Sequence, residues 1–427
     1  MISPVLDNCF TPTLYRGKEW YWANGWPSCN HVPCPRWNYT LMTFIQINRD
    51  QLIEDLSAMI RCPSVNSFGT ATQPGAEAAM ANLYEYQMRQ LDLEIGTRTV
   101  EPGRRNVWGT LKGSGSGPTV LLVGHLDTVG VDTYTEPFMP KVENGHIYGR
   151  GSCDMKAGLS AYLEVVRYFK RSGTLPRGDL ILAGVVDEEH AMIGSKDFGK
   201  NGPKVDCAIV AEPSSLGISA NHKGQMLMTI KTKGLAAHSS MPSSGRNAVY
   251  HMATVLKALQ GYAEDLSSRH PNPICGSPSF SVGVIRGGDN ACSVPDFCEI
   301  DIDRRTIPGE TSASVIAEIT AVLEATKRTE PTLDYKLGPP FLDLPPLDTS
   351  PESCVMQAIV FACQTVIGEA KVYAFPGSTD APNFGCPTII CGPGELAQCH
   401  SLNEYVSIDQ IEDAVRIYIH AILKMNS

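Results

Sequence analysis

The chain has 427 residues, 14 of them cysteine, and a formal net charge of -10. That length exceeds one ordinary core, so two domains are expected, and the acidic balance argues against nucleic acid or an anionic membrane as partner. No apolar run approaches the ~18 residues of a spanning helix, and the start lacks a charged stretch followed by an apolar one, so neither a membrane span nor a secretory signal is read; a cytoplasmic protein acting on a small molecule fits better.

Residues 1–42 behave unlike the rest. Trp20, Trp22, Trp26 and Trp37, four of the five tryptophans, crowd into a stretch with no sustained periodicity. This is read as an atypical extension, or as a segment upstream of a start at Met42, and a chain beginning at Met42 is expected to keep its activity. An amphipathic helix carrying Leu52, Ile53, Leu56, Met59 and Ile60 follows. Thr119 to Gly124 (TVLLVG) is apolar throughout, as a strand covered on both faces should be, and empties into His125 and Asp127. After the turn Gly149-Arg150-Gly151 comes Asp154, then a helix from Lys156 to Arg171 with Leu159, Leu163, Val166 and Tyr168 at helical spacing. Leu180 to Val186 is a second buried strand, ending at Asp187, Glu188 and Glu189, and Cys207 to Ala211 a third, ending at Glu212.

Beyond about Leu216 the pattern changes. Gln225 to Thr232 alternates as a strand, Arg246 to Leu266 is helical in period, Ser279 to Ile285 and Phe297 to Thr306 are strands, Thr311 to Lys327 is helical, and Leu333 to Leu337 is a last strand. The order β-α-β-β-α-β is that of a ferredoxin-like unit. Pro387 to Cys391 then resumes the buried-strand pattern and leads through Gly392-Pro393-Gly394 to His400. The expected division is 1–42, an atypical extension; 43–215 and 337–427, two parts of one catalytic α/β domain with a mixed, mostly parallel sheet; and 216–336, an inserted α+β domain. The cysteines show no paired metal-ligand spacing. Cys207 and Cys391 fall inside apolar strands, and Cys9, Cys29 and Cys34 lack the second half of a zinc knuckle, so all are read as reduced residues of a cytosolic protein.

Open parallel sheets bind ligands beyond the carboxyl ends of their strands, so His125, Glu189, Glu212 and His400 should meet in one crevice, with Asp154 beside them. Each has an ordinary reading alone: Asp154 as a helix cap, His125 as a loop histidine, Glu188-Glu189 as a solvated pair. Together they form a set of imidazoles and carboxylates that suits zinc first, with cobalt or manganese as alternatives. Asp154 can offer one oxygen to each of two cations, and two ions about 3.5 to 4 Å apart are the usual arrangement for splitting an amide with water. One of two adjacent glutamates can hold a metal while the other moves the proton. Asp127 is the expected partner that fixes the tautomer of His125.

The segments GHLDTV, YGRGSCDMKAG, DEEHAMIGS, AEPSS, KGLAAHSSMP and HSLNEYVSI stand in the order and spacing of the acetylornithine deacetylase and succinyl-diaminopimelate desuccinylase superfamily, which the chain resembles from about Ile47 to its C-terminus. Carboxypeptidase G-type enzymes, aminoacylases and dipeptidases belong to it too. The resemblance implies a zinc-peptidase-like catalytic domain with a ferredoxin-like lid that also forms a homodimer. It implies two divalent ions, with His125 and Glu212 on one, Glu189 and His400 on the other, and Asp154 bridging, and it makes Glu188 the base. It implies a cis peptide at Asp154-Met155, His238 as the group that polarises the scissile carbonyl, from its own or the partner subunit, and Arg305 as the clamp on a substrate carboxylate. The family's substrate-binding Asn falls here on Cys292, so Asn290 is a neighbouring candidate out of register. Gly377 and Thr379, in Gly377-Ser378-Thr379-Asp380, are expected to line the substrate pocket. The implied activity is hydrolysis of a small N-acyl amino acid, of acetylornithine or succinyl-diaminopimelate type. A dipeptidase or carboxypeptidase is the alternative, a non-catalytic binding paralogue a weaker one, and a thiol hydrolase using Cys153 weaker still.

Overall fold

The computed structural model describes residues 45–66 and 77–426, so the expectations for residues 1–42 lie outside the described residues. Helix α1 (Arg49–Ile60) starts at Asn48, whose side chain accepts from Gln51 N, and buries Leu52, Leu56, Met59 and Ile60. Helix α2 (Glu77–Arg89) and strands β1 (Glu94–Glu101), β2 (Arg104–Leu111) and β3 (Val120–His125) follow. A short ribbon, β4 (Lys141–Glu143) with β5 (His146–Tyr148), leads to α3 (Lys156–Ser172), which stops at Gly173 in the left-handed conformation, φ 67°. Then come β6 (Leu180–Val185), α4 (Ile193–Asn201), β7 (Cys207–Pro213) and β8 (Ile218–His222).

The inserted unit comprises β9 (Gly224–Lys233), β10 (Ala237–His238), α5 (Ala248–Ser268), β11 (Ser279–Gly287), β12 (Ser293–Val294), β13 (Phe297–Thr306), α6 (Ser312–Thr329), β14 (Asp334–Leu337) and β15 (Leu342–Leu344). Its sheet runs β11-β13-β9-β14, antiparallel throughout, the order expected of a ferredoxin-like unit, with β15 also on β9. Met252, Val255 and Leu259 of α5 and Ile319 and Leu323 of α6 pack on Met228, Ile230, Ile300 and Ile302 of the sheet. The chain returns through β16 (Leu347–Asp348), α7 (Cys354–Ile367), β17 (Val372–Phe375), β18 (Thr388–Gly392), β19 (Tyr405–Ser407) and α8 (Ile408–Met425).

The large sheet has the order β1-β2-β6-β3-β7-β18-β8-β16, with β17 pairing β8; the pairs β6-β3, β3-β7, β7-β18 and β8-β17 are parallel. Its four central strands are the four apolar runs of the sequence. The pleat divides each run between two cores. Leu122 joins the core that α1, α3, α7 and α8 share, whereas Leu121 and Val123 join the one with Phe198 and Phe384 on the other side. Each such side chain contributes about 1.5–3 kcal/mol on burial, and covering both faces is why the sequence runs show no alternation.

The units meet elsewhere than expected. Ile218–His222 joins the large sheet and Leu342–Leu344 the small one, so the chain crosses at Lys223 and again at Pro345-Pro346 rather than at 216 and 336. Both crossings lie side by side, with Gln225 opposite Leu344 and His222 opposite Leu347. A five-residue strand carries no mark of which sheet it will join.

Candidate metal centre

His125 ends β3 and is fully buried. Its Nδ1 lies 2.9 Å from the Asp127 carbonyl oxygen, so that nitrogen donates, and Nε2 faces Asp154 Oδ1 at 2.9 Å and Glu212 Oε1 at 3.7 Å. Asp127 is thus the residue that orients the ring, and it does so through its backbone carbonyl, the carboxylate Oδ1 standing 3.7 Å from Nδ1. The carboxylate instead accepts from Glu188 N and Glu189 N, both at 3.1 Å, and from Asn66 Nδ2 at 2.7 Å. It therefore holds the turn that bears the two glutamates.

Asp154 does not cap α3; Met155 occupies that position, with no side-chain cap. The Asp154-Met155 peptide is cis, as the resemblance implied. Asp154 Oδ1 faces His125, while Oδ2 faces His400 Nε2 at 3.4 Å, and His400 Nε2 is also 3.1 Å from Glu189 Oε2. One carboxylate thus presents one oxygen to each imidazole. Gly158 makes this possible from the α3 side: an added Cβ would stand 2.4 Å from the Cβ of Ala211, so glycine lets α3 approach β7 and brings Asp154 to Glu212.

Ligand atoms of His125, Glu188 and Glu212 lie within 4.8 Å of one another, as do those of His125, Asp154 and Glu189. Glu188, read from the sequence as the base, thus stands as near to His125 and Glu212 as a ligand would. Glu189 Oε1 and Glu212 Oε1 are buried without a hydrogen-bond partner among the described residues. Orphaned carboxylate oxygens on side chains that face His125 and His400, with no thiolate in the set, fit divalent cations of the zinc, cobalt or manganese kind.

The charge balance says the same. Burial, with Glu212 alongside, pushes the pKa of Glu188 well above the usual carboxylate range; burial does the same for Glu212 and raises Glu189. Burial opposes a charged His125, yet Asp154, Glu212 and Glu188 outweigh it and hold its pKa well above 6.5. Asp154 and Glu189 lift His400 to about 10. Burial would raise Asp154, but hydrogen bonds from both histidines hold it below the usual range. Protons gather where divalent cations would otherwise balance the carboxylates.

The other candidates fall in three places. In the lid, the exposed His238 accepts at Nδ1 from Ser240 N at 3.2 Å and lies 2.8 Å from Ser240 Oγ, which leaves the proton on Nε2. Arg305, half-buried on β13, spends its fork on Asp303 Oδ2 at 3.0 and 3.2 Å. Asn290 Oδ1 accepts from Cys292 N and Ser293 Oγ, so this side chain shapes its own exposed turn rather than offering that oxygen outward. In the loop after β17, Gly377 is half-buried, but Thr379 is 2% exposed and its hydroxyl is committed: it accepts from Ala381 N and donates to His222 Nε2, whose Nδ1 donates to the Lys223 carbonyl. Cys153 is buried and donates to the Glu395 carbonyl; despite the hydrogen bond with Cys399, burial and the charges of Asp154 and Glu404 leave its pKa raised, the opposite of an activated thiol.

Three further groups escaped the sequence reading. Arg104 bonds Glu77 Oε2 and Asp187 Oδ1, both at 2.7 Å, anchoring Asp187 at φ 72° just before the glutamate pair. Asp380 is buried, and burial pushes its pKa to about 7. Glu404, inside the quoted HSLNEYVSI, is fully buried among donors of the Asp154 loop. Buried acids that bond only backbone or distant arginines have no spacing signature; their burial within polar segments is visible only in the fold.

Comparison with known proteins agrees with this geometry. Residues 121–424 match the profile of Peptidase family M20/M25/M40. Acetylornithine deacetylase of Proteus mirabilis (strain HI4320) is 31% identical over 397 residues, covering 88% of this chain and 95% of that one. The same enzyme of Vibrio atlanticus (strain LGP32) is 28% identical over 380 residues, covering 87% and 98%. Among solved structures, a tripeptidase from Staphylococcus aureus subsp. aureus Mu50 superposes with a TM-score of 0.73 at 21% identity, covering 89% of this chain and all of that one. An M20 family metallo-carboxypeptidase from Sulfolobus solfataricus gives 0.68 at 19%, covering 88% and 99%. With the cluster of imidazoles and carboxylates at the strand ends and a profile match spanning most of its length, the chain belongs to peptidase family M20/M25/M40 and is a hydrolase of amide bonds.

Proposed function

We propose that the protein is a metal-dependent deacylase of small N-acyl amino acids, of the acetylornithine deacetylase type. The observation that carries this reading is Asp154, whose two oxygens face two different histidines. His125 and Glu212 would hold one ion, Glu189 and His400 the second, with Asp154 between them. Divalent ions held there would polarise the scissile carbonyl and acidify the attacking water. Glu188 takes the proton of that water and returns it to the departing amine, and its raised pKa suits a group that must both accept and give. His238, with its proton on Nε2, is in the tautomer that can donate to the developing oxyanion once the lid closes. Arg305 would exchange Asp303 for the substrate carboxylate. The near full-length cover of relatives named acetylornithine deacetylase favours an N-acetyl amino acid over a succinylated one or a dipeptide. We further infer a homodimer through the lid, and the free cysteines among the described residues fit a reducing compartment.

A panel of N-acetyl amino acids, N-succinyl amino acids and dipeptides, assayed on the zinc-loaded protein, tests the substrate. Release of acetate from N-acetylornithine or a similar compound at least tenfold faster than any dipeptide is expected. A dipeptide turned over fastest would move the reading to the peptidases of the family.

A further inference from the structure

The loop Gly149 to Asp154, between β5 and α3, carries the aspartate that faces both histidines. One side chain outside the cluster holds it. Glu404 Oε1 accepts from Cys153 N at 2.8 Å and Asp154 N at 2.9 Å; Oε2 accepts from Arg150 Nη1 at 2.7 Å and Gly151 N at 2.9 Å. A carboxylate has about four lone-pair sites, and all are spent, so Glu404 has none left for a cation. Its own backbone is fixed too: its carbonyl accepts from Gly149 N at 3.0 Å, and the next residue, Tyr405, pairs with Tyr148 across β19 and β5. His400 lies four residues upstream and faces Asp154 Oδ2 at 3.4 Å.

Glu404 therefore ties together the two segments that bring Asp154 and His400 to each other. The geometry points to Glu404 as a positioning residue that sets metal affinity by holding Asp154 in register with His400, an inference that rests on reading the cluster as a metal centre. Glutamine at this position would keep the shape but turn an amide NH2 toward N–H donors. Aspartate would keep the charge but be one methylene too short to reach both pairs.

Zinc affinity of full-length wild type, Glu404→Gln and Glu404→Asp, measured by competition with a chromophoric chelator, tests this. Both variants are expected to bind zinc about 10–100-fold more weakly, with kcat at limiting zinc reduced, kcat at excess zinc largely recovered, and KM unchanged. A purely structural role would lower the melting temperature without changing the zinc affinity of the folded protein; a folded variant within threefold of wild-type affinity overturns the proposal. Hydrogen exchange of the metal-free wild type needs no variant: Gly151, Cys153 and Asp154 N–H should be protected, and free exchange there also overturns it. If the wild type itself binds no zinc, the metal reading has failed instead, and the exchange experiment alone judges the Glu404 contact.

Discussion

At the scale of single residues, the roles of Glu188 and Asp127 separate cleanly. Glu188→Gln keeps the size of the proposed base but removes its proton chemistry, so kcat should fall at least about 100-fold with zinc content unchanged; a fall under about tenfold, measured beside elemental analysis, would show that another group moves the proton. Asp127→Asn turns an amide NH2 toward Glu188 N or Glu189 N, so it should disturb the glutamate turn while leaving the ring of His125 oriented by the unchanged carbonyl. The sequence placed Asp127 beside the site because it stands two residues after His125. It could not show which atom acts, since a backbone carbonyl makes the contact. Thr379 shows the same limit: its hydroxyl is committed to His222 and Ala381, contacts that its loop position does not reveal.

His222 also fixes a pH dependence. Burial holds it neutral, with its pKa pushed down to about 4 from 6.5. The unfolded chain then binds the extra proton between those values, so stability from this residue is fully present above about pH 6.5 and is lost as pH falls toward 4. The full loss is about 3 kcal/mol. Urea unfolding at pH 7 and pH 4.5 should show the decline, and His222→Gln should flatten it in that window; an equal slope in the variant would assign the decline to other groups.

At the scale of elements, the strand ends were the legible part. Four uniformly apolar runs became the four central strands; His125 and Glu212 stand in the ends of β3 and β7, and Glu189 and His400 in the loops that follow β6 and β18. The lid's β-α-β-β-α-β order was equally legible because its helices and alternating strands have different periods. The crossings between the sheets were not, because they consist of short strands whose pairing depends on residues far along the chain, Gln225 with Leu344 and His222 with Leu347. Gly224 is the tightest point there: an added Cβ would lie 2.3 Å from Thr306 Oγ1, 2.4 Å from the Leu344 carbonyl oxygen and 2.8 Å from Pro346 N. Gly224→Ala should therefore push the two crossing strands apart. We expect kcat and KM to change together, as for a hinge, with a stability loss of about 1–3 kcal/mol in denaturant titration. Unchanged kinetics at reduced stability would make Gly224 a packing residue and not a pivot.

At the scale of the whole molecule, the catalytic half concentrates acids in one crevice and leaves them to the imidazoles, while cationic partners such as Arg104 and Arg150 serve the supporting carboxylates Asp187 and Glu404. A protein built this way should gain stability from metal, by about 2.7 kcal/mol at a hundredfold excess over Kd, seen as a rise in melting temperature that a chelator reverses. Metal uptake should also expel protons, since His400 is held protonated up to about pH 10 in the metal-free cluster. Affinity should thus weaken as pH falls, and calorimetry in buffers of different ionisation enthalpy should show protons released on binding. The two-domain arrangement has a further consequence. His238, on the β10-β12 ribbon, and Arg305, on β13 of the lid sheet, are proposed to act on a cluster gathered beyond the strand ends of the large sheet, so turnover should depend on movement at the crossings.

Zinc add-back to chelator-stripped protein, followed by hydrolysis of an N-acetyl amino acid in wild type and Asp154→Ala, bears on all of this at once. The stripped wild type should be inactive and recover as zinc is added, whereas the variant should stay inactive at zinc levels that saturate the wild type. Full hydrolysis by the stripped protein, or full recovery by Asp154→Ala, would contradict a cation centre joined through Asp154.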